Sequence, residues 1–358
     1  MTTLKPITII GGGLAGLTLG IGLRQRGVSV MIWEAGQYPR HRVCGEFISG
    51  RGTQSLQSLG LLELVTRAAA RPANTAAFFS SHQAFPVRAL PQPALCLSRF
   101  VLDALLADRF QQLGGELREG ARWPGKEFGE GMVRASGRRL QPVENGWRWF
   151  GLKAHVKQVE LAADLEMHLS ANGYVGLCRL NRGEVNVCGL FRRQAGDEKF
   201  RGSSSECQAG DGADWPERLR GGPGSWLHQR LASAEWEESS FCAVAGLALN
   251  PRCASKTDEW CVGDALSMIA PVTGNGMSIA FESAELALEP LAAYARGELD
   301  WSAAQRMMAQ KCEAAFRWRL RWAARLQGAM FQASTRAVLL SLATRCEMIW
   351  KLLFRLTR

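Results

Sequence analysis

The chain has 358 residues, of which 47% are hydrophobic and 21% are charged, and this balance is typical of a folded globular protein. No apolar run reaches the roughly 18–20 residues of a membrane-spanning helix, and the first residues lack the apolar core of a secretory signal, so we expect neither a membrane span nor secretion. Residues 301–358 contribute +9 of the formal net charge of +10, through eleven Lys or Arg and two Glu, so the remainder is nearly neutral and nucleic-acid binding is not expected.

The N-terminal segment predicts a βαβ unit. Residues 5–10 form a short β-branched apolar run, which is typical of a buried parallel strand. A glycine-rich turn follows, and residues 14–26 then carry apolar side chains at helical spacing up to Gly27, which would end the helix. A second apolar run over 28–33 ends at Glu34. Strand, turn, helix and strand in this order indicate a dinucleotide-binding unit.

The glycine turn has the pattern Gly11-x-Gly13-x-x-Gly16, and Glu34 follows 18 residues after the last glycine. The first glycine permits a tight bend, the second lets the backbone approach a pyrophosphate, and the third allows the helix to pack closely on the strand. The helix N-terminus would face the anion, and Glu34 could accept hydrogen bonds from a ribose diol. The pattern predicts a dinucleotide site, against the alternative of a glycine-rich turn without a ligand.

The region up to residue 150 predicts two helices separated by loops and strand-like pieces. The helical patterns cover residues 54–70 and 98–113, the second with Ser98 as a suitable N-cap. The rest comprises a glycine-containing loop, a segment rich in Pro and Ala, and an irregular glycine-rich segment, which cover 42–49, 71–93 and 120–150 respectively.

The middle of the chain predicts an antiparallel sheet. Four alternating segments joined by turns cover 149–156, 162–169, 174–180 and 184–191. A polar, Gly/Ser-rich stretch over 194–224 predicts a mobile loop. Beyond it we expect a strand over 259–263, a helix over 276–288 and helices throughout 301–358.

A second glycine motif follows the predicted strand at 259–263. Gly263 and Asp264 come directly after it, and a loop from Pro271 leads to a glycine-rich helix start at residues 274–277. A carboxylate there could bind a polyol, and the N–H groups of residues 274–277 could face an electron-rich ring system. The alternative is an ordinary turn.

Together the two motifs resemble those of the flavoprotein superfamily that includes p-hydroxybenzoate hydroxylase, the geranylgeranyl reductases and the flavin-dependent halogenases. The resemblance covers most of residues 5–295. It implies that the first motif binds the ADP half of a noncovalently held FAD, that the Gly-Asp motif holds the ribityl chain and pyrophosphate, and that the following helix start lies beside the isoalloxazine. A segment that resembles the superfamily's Arg-x-x-Leu-Asp helix adds Arg99. The implied FAD-binding residues are Gly11, Gly13, Leu14, Ala15, Gly16, Glu34, Arg42, Cys44, Arg99, Asp264, Pro271, Gly274, Asn275, Gly276 and Met277.

The loop from Arg42 to Glu46 resembles the superfamily loop that passes over the flavin ring, where the reductases carry Cys-Gly-Gly. Cys44 and Glu46 are therefore the candidate catalytic residues. Cys44 could assist protonation of a substrate or position the flavin, and the alternative is a small buried thiol.

The signatures of the subfamilies are incomplete. The Tyr-x-Trp-x-Phe-Pro segment of the reductases is replaced by a sequence that begins at Tyr174. The halogenase motif Trp-x-Trp-x-Ile-Pro is absent, although Trp147 and Trp149 have its spacing and lie before a predicted strand. Ser267 stands where the hydroxylases usually have a His. Residues 133–139 resemble the superfamily's second dinucleotide contact. Taken together, these segments indicate the superfamily but do not select a subfamily.

The thiols and imidazoles are scattered. Ten Cys form no CxxC pair, and the five His show no ligand spacing, so we predict no metal site and no Ser-His-Asp or Cys-His site. Unclustered thiols fit a reducing cytoplasm, where Cys packs as a small apolar residue.

The C-terminal segment predicts an amphipathic helix. An apolar stripe and an adjacent basic stripe run along it, and their residues are Trp318, Trp322, Leu326 and Met330, and Arg317, Arg321 and Arg325. The first interpretation is a helix packed on the core with a solvated basic face. The second is peripheral contact with an anionic membrane, or a lid over an apolar substrate tunnel.

We predict an α/β fold with a Rossmann-like βαβ FAD-binding domain, an inserted mixed or antiparallel sheet that caps the substrate, and a helical C-terminus. The FAD-binding domain would comprise residues 1–70, 96–148 and 242–300. The capping domain would comprise 71–95 and 149–241, and the C-terminal helices 301–358.

The predicted function is that of an FAD-dependent monooxygenase of the hydroxylase or epoxidase type, acting on a small apolar or aromatic molecule. The first alternative is a double-bond reductase of the geranylgeranyl reductase type, which the loop at Cys44 and the segments at 173–177 and 185–189 favour. The second is an inactive flavoprotein-like binding protein. Only one complete GxGxxG pattern exists, so NAD(P)H or another reductant would bind transiently.

Overall fold

The structure, a computed structural model, describes residues 4–81, 83–196, 215–252 and 259–358. Most of the predicted loop at 194–224 lies outside these ranges, as do His82, Cys207 and Cys253. Within them the strands are β1 (Ile7–Ile10), β2 (Val30–Trp33), β3 (Phe47–Ile48), β4 (Arg71–Phe79), β5 (Arg88–Cys96), β6 (Glu116–Arg118), β7 (Met132–Arg134), β8 (Trp147–Lys157), β9 (Leu165–Leu169), β10 (Gly173–Arg179), β11 (Val185–Gln194) and β12 (Glu235–Ala245). The helices are α1 (Leu14–Arg24), α2 (Arg51–Ser58), α3 (Leu62–Arg67), α4 (Arg99–Gln112), α5 (Trp215–Arg220), α6 (Trp226–Arg230), α7 (Gly276–Ala295), α8 (Trp301–Met330), α9 (Ala333–Arg345) and α10 (Glu347–Thr357).

The first sheet is parallel, with the strand order β6-β2-β1-β7. Ile9 of β1 pairs with Ile32 of β2 on one side and with Val133 of β7 on the other. Helix α1 contacts strands β1 and β2 of this sheet, and it also contacts helices α4 and α7. Its side chains from Leu14 to Leu23 are therefore buried on every side. A parallel sheet is covered on both faces, which explains why its strands read as continuous apolar runs. The predicted βαβ unit is confirmed.

The second sheet is mixed, with the strand order β12-β8-β11-β10-β9-β4-β5-β3. Its pairs are antiparallel except for β4 and β9, which are parallel. The four predicted strands correspond to β8 through β11, and Trp147 and Trp149 lie within β8 instead of before it. Strand β12 was not predicted, because its sequence begins with three Glu residues among its first four and lacks a clear apolar alternation. The predicted fold class is confirmed.

Several element boundaries differ from the prediction, and three of the differences affect the site or its surroundings. The helix expected at 54–70 is divided into α2 and α3, because Gly60 lies between them with a φ of +66°. The strand expected at 259–263 reduces to a single bridge between Cys261 and Arg134, followed by one 3₁₀ turn at Gly263–Ala265. Helix α7 extends seven residues beyond the predicted end at 288.

The C-terminal helices pack on one another, and α8 contacts α7. The buried face of α8 is a line of residues at steps of four and three: Ala304, Met308, Cys312, Phe316, Leu320, Ala323, Gln327 and Met330. The predicted apolar stripe is wrong as a packing face, because Trp318 is 62% exposed and only Met330 belongs to the buried line. Among the described residues, no helix is both long and apolar enough to cross a bilayer.

Candidate FAD site and the loop beside it

The first glycine turn brings β1, α1 and residue 135 into close contact. A Cβ on Gly11 would lie 2.3 Å from the carbonyl oxygen of Ala135, and one on Gly16 would lie 2.0 Å from the carbonyl oxygen of Gly11. A Cβ on Gly13, in contrast, would meet no atom within 4 Å. Gly13 is also the N-cap of α1 and offers no side chain to the free N–H groups of the first turn. The turn therefore presents uncapped N–H groups to an open space, as a phosphate site requires.

Glu34 lies at the end of β2 and binds the same turn. Its carboxylate accepts hydrogen bonds from the N–H groups of Gly12 and Gly36 at 2.9 and 2.8 Å, and it pairs with Arg40 at 2.6 Å. Burial alone would raise the pKa of Glu34, but the Gly36 N–H and the charges of Arg40 and Arg42 outweigh it and hold the pKa below its usual value. Glu34 is thus ionised but engaged by Arg40, which would have to move for a ribose diol to reach it.

Helix α4 places a second carboxylate and guanidinium beside the turn. Arg99 donates two hydrogen bonds to Asp103, at 2.7 and 2.8 Å, and Arg42 lies 3.3 Å from the same carboxylate. The guanidinium of Arg99 also contacts the thiol of Cys44. The Arg-x-x-Leu-Asp pattern therefore places an internally paired arginine against the loop at 42–46, and this accounts for the spacing of its Arg and Asp at i and i+4.

The second glycine motif packs directly on the first. Gly263 adopts a φ of +61°, and a Cβ there would lie 2.9 Å from the Cβ of Ala15 in the first turn of α1. Asp264 is half-buried next to this contact, and its carboxylate makes no hydrogen bond to the described part of the chain. Burial raises the pKa of Asp264, and the charges of Arg99 and Arg138 oppose that shift. Asp264 therefore offers a carboxylate without a hydrogen-bond partner in the described ranges, beside a turn that suits an anion.

The loop after Asp264 ends at a second glycine helix start. Gly274 takes the left-handed conformation, with a φ of +62°, and a Cβ there would lie 2.1 Å from the ring of Phe47. Asn275 precedes α7 without capping it, and its buried Oδ1 has no hydrogen-bond partner among the described residues. Pro271 begins the 3₁₀ turn that leads to Gly274, while Met277 is buried in the first turn of α7.

The loop at 42–46 lies between this site and the second sheet. A Cβ on Gly151 of β8 would lie 2.8 Å from Val43, so glycine is needed where the strand meets the loop. Asn186 of β11 donates a hydrogen bond of 2.9 Å to the carbonyl oxygen of Cys44. Burial raises the pKa of the Cys44 thiol, against the charge of Arg99, so the thiol stays protonated at neutral pH.

Glu46 is the centre of a buried polar cluster that also contains Lys153, His155 and His41. The Glu46 carboxylate lies 2.6 Å from Nε2 of His155 and 3.5 Å from Nζ of Lys153, and it accepts a hydrogen bond of 2.9 Å from the Arg99 N–H. Lys153 donates to Nδ1 of His41 at 2.8 Å. Glu46 and Lys153 are completely buried, and Glu46 has a φ of +59°. A single carboxylate thus joins α4, β8 and the loop.

The electrostatics of this cluster follow from its packing. Burial alone would raise the pKa of Glu46, but the hydrogen bond and charge of His155 and the charge of Lys153 outweigh it and lower the pKa. Burial and the Lys153 charge lower the pKa of His41 to about 4. A lysine ammonium can donate hydrogen bonds but cannot accept them. Nδ1 of His41 must therefore be the acceptor in this hydrogen bond, in agreement with a neutral imidazole.

The same cluster has the donor set of a metal site. His41, Glu46 and His155 each offer one atom, and these atoms lie within 4.8 Å of one another. The Lys153 ammonium already supplies a positive charge between them. A cation would have to displace it, so the geometry fits a lysine-centred ion cluster better than a metal centre.

The residues of this cluster are far apart in the sequence and were not predicted to lie together. His41 and His155 were predicted to be scattered, yet their ring centroids lie 5.0 Å apart. Lys153 was not singled out at all, although a Lys within an otherwise apolar strand pattern was a usable signal. The glycines, Arg99 and Asp264 were predicted as one site, and the structure places them together.

The arrangement fits FAD in charge. The guanidiniums of Arg40 and Arg42 pair with Glu34, and those of Arg42 and Arg99 pair with Asp103. The charges of Arg99 and Arg138 act on Asp264. The four guanidiniums outnumber the three carboxylates by one. The net positive charge of this group complements the negative charge of a pyrophosphate.

Comparison with known proteins agrees with this fit. Residues 5–144 match the family model FAD_binding_3, described as an FAD binding domain. No curated protein sequence matches the chain.

Solved structures show the fold over nearly the whole chain. The flavin-dependent brominase Bmp2 is 20% identical, with a TM-score of 0.71, over 98% of this chain and 94% of that one. The halogenase PltM is 15% identical, with a TM-score of 0.71, over 98% and 83%. PqsL from Pseudomonas aeruginosa, described as a probable FAD-dependent monooxygenase, is 14% identical, with a TM-score of 0.68, over 93% and 98%. The predicted resemblance, in fold and in FAD-binding domain, is confirmed.

Proposed function

From the FAD-binding domain and superfamily fold of this chain, we propose that it is an FAD-dependent monooxygenase of the hydroxylase or epoxidase type, acting on a small apolar or aromatic molecule. The observation that carries the proposal is the contact between the two glycine motifs. It places the uncapped start of α1 beside Asp264, whose carboxylate has no hydrogen-bond partner among the described residues. The solved structures with this fold include a brominase, a halogenase and a protein described as a monooxygenase, and these descriptions favour oxidation by O₂.

Bound FAD would pass electrons from NAD(P)H or another reductant to O₂, so that one oxygen atom enters the substrate and the other leaves as water. The chain's own residues would bind and orient the cofactor. The first turn of α1 would hold the pyrophosphate, and Asp264 would accept hydrogen bonds from the ribityl chain. Phe47 would help to exclude water, because its ring covers Gly274.

The substrate would lie against the face of the second sheet that meets the loop at 42–46. One end of that face carries Lys153 and His155, and the other end carries Trp149 and Tyr174. Phe331, at the end of α8, lies 5.1 Å from Trp149 and 6.1 Å from Tyr174 between ring centroids. An aromatic wall at one end and charge at the other suit a molecule with a large apolar part.

The double-bond reductase is the second candidate, and one observation favours it. The Cys44 thiol is kept protonated by burial and contacts Arg99 on the loop that the resemblance places over the flavin ring. A protonated group in that place could supply the proton that a reductase adds after hydride transfer.

One experiment separates these functions. Purified protein reconstituted with FAD would be given NAD(P)H and a panel of aromatic and isoprenoid compounds, with and without O₂, and the products analysed by mass spectrometry. The proposal expects a product that is heavier by one oxygen atom and forms only with O₂. A product heavier by two hydrogen atoms, formed without O₂, would establish the reductase. Failure to bind FAD would leave the binding-protein alternative.

A further inference from the structure

Exposed apolar side chains are concentrated on the C-terminal helices. Six of the ten large hydrophobic residues that are most exposed in the described ranges lie within residues 301–358: Met307, Trp318, Val338, Leu342, Met348 and Leu352. Met348 is 79% exposed and Leu352 is 54% exposed, and they lie one turn apart on α10. Val338 and Leu342 have the same spacing on α9. Water is a poor environment for such pairs, so they indicate a contact surface.

The same helices carry an excess of free positive charge. Three of their eleven cations pair with a carboxylate, namely Arg317, Arg319 and Lys351. Six others are exposed and form no ion pair within the ranges that the structure describes: Arg306, Lys311, Arg321, Arg325, Arg345 and Arg355. Arg345, the last residue of α9, lies two residues before α10, and Arg355 lies one turn after Leu352, so charge flanks the apolar pair.

We propose that α9 and α10, with the exposed face of α8, form a docking surface for an anionic lipid bilayer. Apolar side chains such as Met348 and Leu352 would enter the region between headgroups and acyl chains, while arginines such as Arg345 and Arg355 bind lipid phosphates. A nucleic acid would satisfy the charges but offers no apolar phase for the exposed side chains. No described helix can span the bilayer, so the contact is peripheral.

This surface is directly linked to the candidate FAD site. Asn275, which precedes α7, donates a hydrogen bond to the carbonyl oxygen of Thr357 at the end of α10. A Cβ on Gly50 would lie 2.9 Å from Arg358. Helix α10 therefore presents its apolar pair to a membrane while its last turn contacts the helix start of the second glycine motif. Such a position suits an enzyme whose apolar substrate is dissolved in lipid.

The test is cosedimentation of the full chain with vesicles of phosphatidylcholine alone or with phosphatidylglycerol. We expect binding to require phosphatidylglycerol and to fall with added salt. Arg345→Gln with Arg355→Gln should weaken partitioning about thirtyfold, since each basic residue near the surface contributes about fivefold. Lys126→Gln with Arg148→Gln, at two exposed sites elsewhere, removes the same charge and should have little effect.

A second pair of variants tests the apolar contribution. Met348→Glu with Leu352→Glu should abolish vesicle binding, whereas Leu140→Glu, at a residue that is 56% exposed far along the chain, should reduce it much less. FAD content and melting temperature report that each variant is folded. Absence of binding to anionic vesicles at low salt would overturn the proposal, as would equal losses in the matched variants or binding to an RNA homopolymer alone. These outcomes do not depend on the reaction that the enzyme catalyses.

Discussion

Gly13 and Gly16 lie three residues apart, yet a side chain at each would meet different surroundings. The space around Gly13 is open, whereas a Cβ on Gly16 would overlap the carbonyl oxygen of Gly11. Gly13 is therefore needed by the ligand, and Gly16 by the fold.

We predict that Gly13→Asp folds but does not bind FAD, because its carboxylate would occupy the place of the phosphates. Gly16→Ala should lower the free energy of unfolding by about 1–3 kcal/mol or more through overpacking. Urea titration of the apoproteins and flavin absorbance after reconstitution measure the two effects. Retention of FAD by Gly13→Asp would show that the phosphates lie elsewhere.

Asp264 has no hydrogen-bond partner within the described ranges, so its loss should affect the ligand and spare the fold. We expect Asp264→Asn to weaken FAD about ten- to a hundredfold, as the loss of a hydrogen bond to a charged acceptor does. Asp258, in a polar turn of the sequence, lies outside the described residues, so the matched control is Asp108→Asn, at an exposed position of α4. FAD affinity is measured by fluorescence quenching. Equal affinities in the two variants would mean that the second motif does not touch the cofactor.

At the scale of the element, α8 is held on α7 by a buried ion pair. Arg319 donates hydrogen bonds of 2.6 and 2.9 Å to Glu282, and the two residues are 7% and 3% exposed. In the sequence Arg319 is one of four arginines within nine residues, and no pattern distinguishes it from the solvated ones.

Arg319→Met should therefore lower the free energy of unfolding by about 3–5 kcal/mol, because Glu282 would stay buried with only the exposed Arg51 at 3.6 Å. Arg321→Met, two residues away on the exposed face, should change it by less than about 0.5 kcal/mol. Chemical denaturation of both variants makes the comparison. Similar small changes in the two would mean that the pair is not maintained in solution.

At the scale of the whole molecule, the two sheets meet at the loop 42–46. The glycine motifs were predictable because backbone geometry demands specific residues at fixed spacing. The Glu46 cluster was not, because Lys153 and His155 reach Glu46 through a sheet register that short-range patterns do not contain. The packing face of α8 was not predicted for a related reason. Apolar and basic residues both occur around this helix, and tertiary contacts decide which of them are buried.

The cluster should make the stability of the molecule depend on pH. Burial and the charges of Lys153 and His155 lower the pKa of His41 to about 4, against the opposing charges of Glu46 and of Glu237 on β12. The unfolded chain binds this proton near pH 6.5, so the stabilisation is complete above that pH and declines as the pH falls from 6.5 towards 4. Below about pH 4.5 the lowered pKa of Glu46 adds a second loss, because its carboxylate protonates more readily when unfolded.

We therefore expect the urea midpoint to fall between pH 7 and pH 5, and to fall less steeply in His41→Gln, which keeps an acceptor for Lys153 but cannot titrate. Burial also lowers the pKa of His168, and this affects the wild type and His41→Gln equally. The difference in slope between these two proteins therefore reports on His41 alone. His228→Gln, on the short helix α6 outside the cluster, is the control and should keep the wild-type slope. If the two variants show the same slope, His41 is already free of Lys153 in solution and the loop at 42–46 does not hold the two sheets together as described.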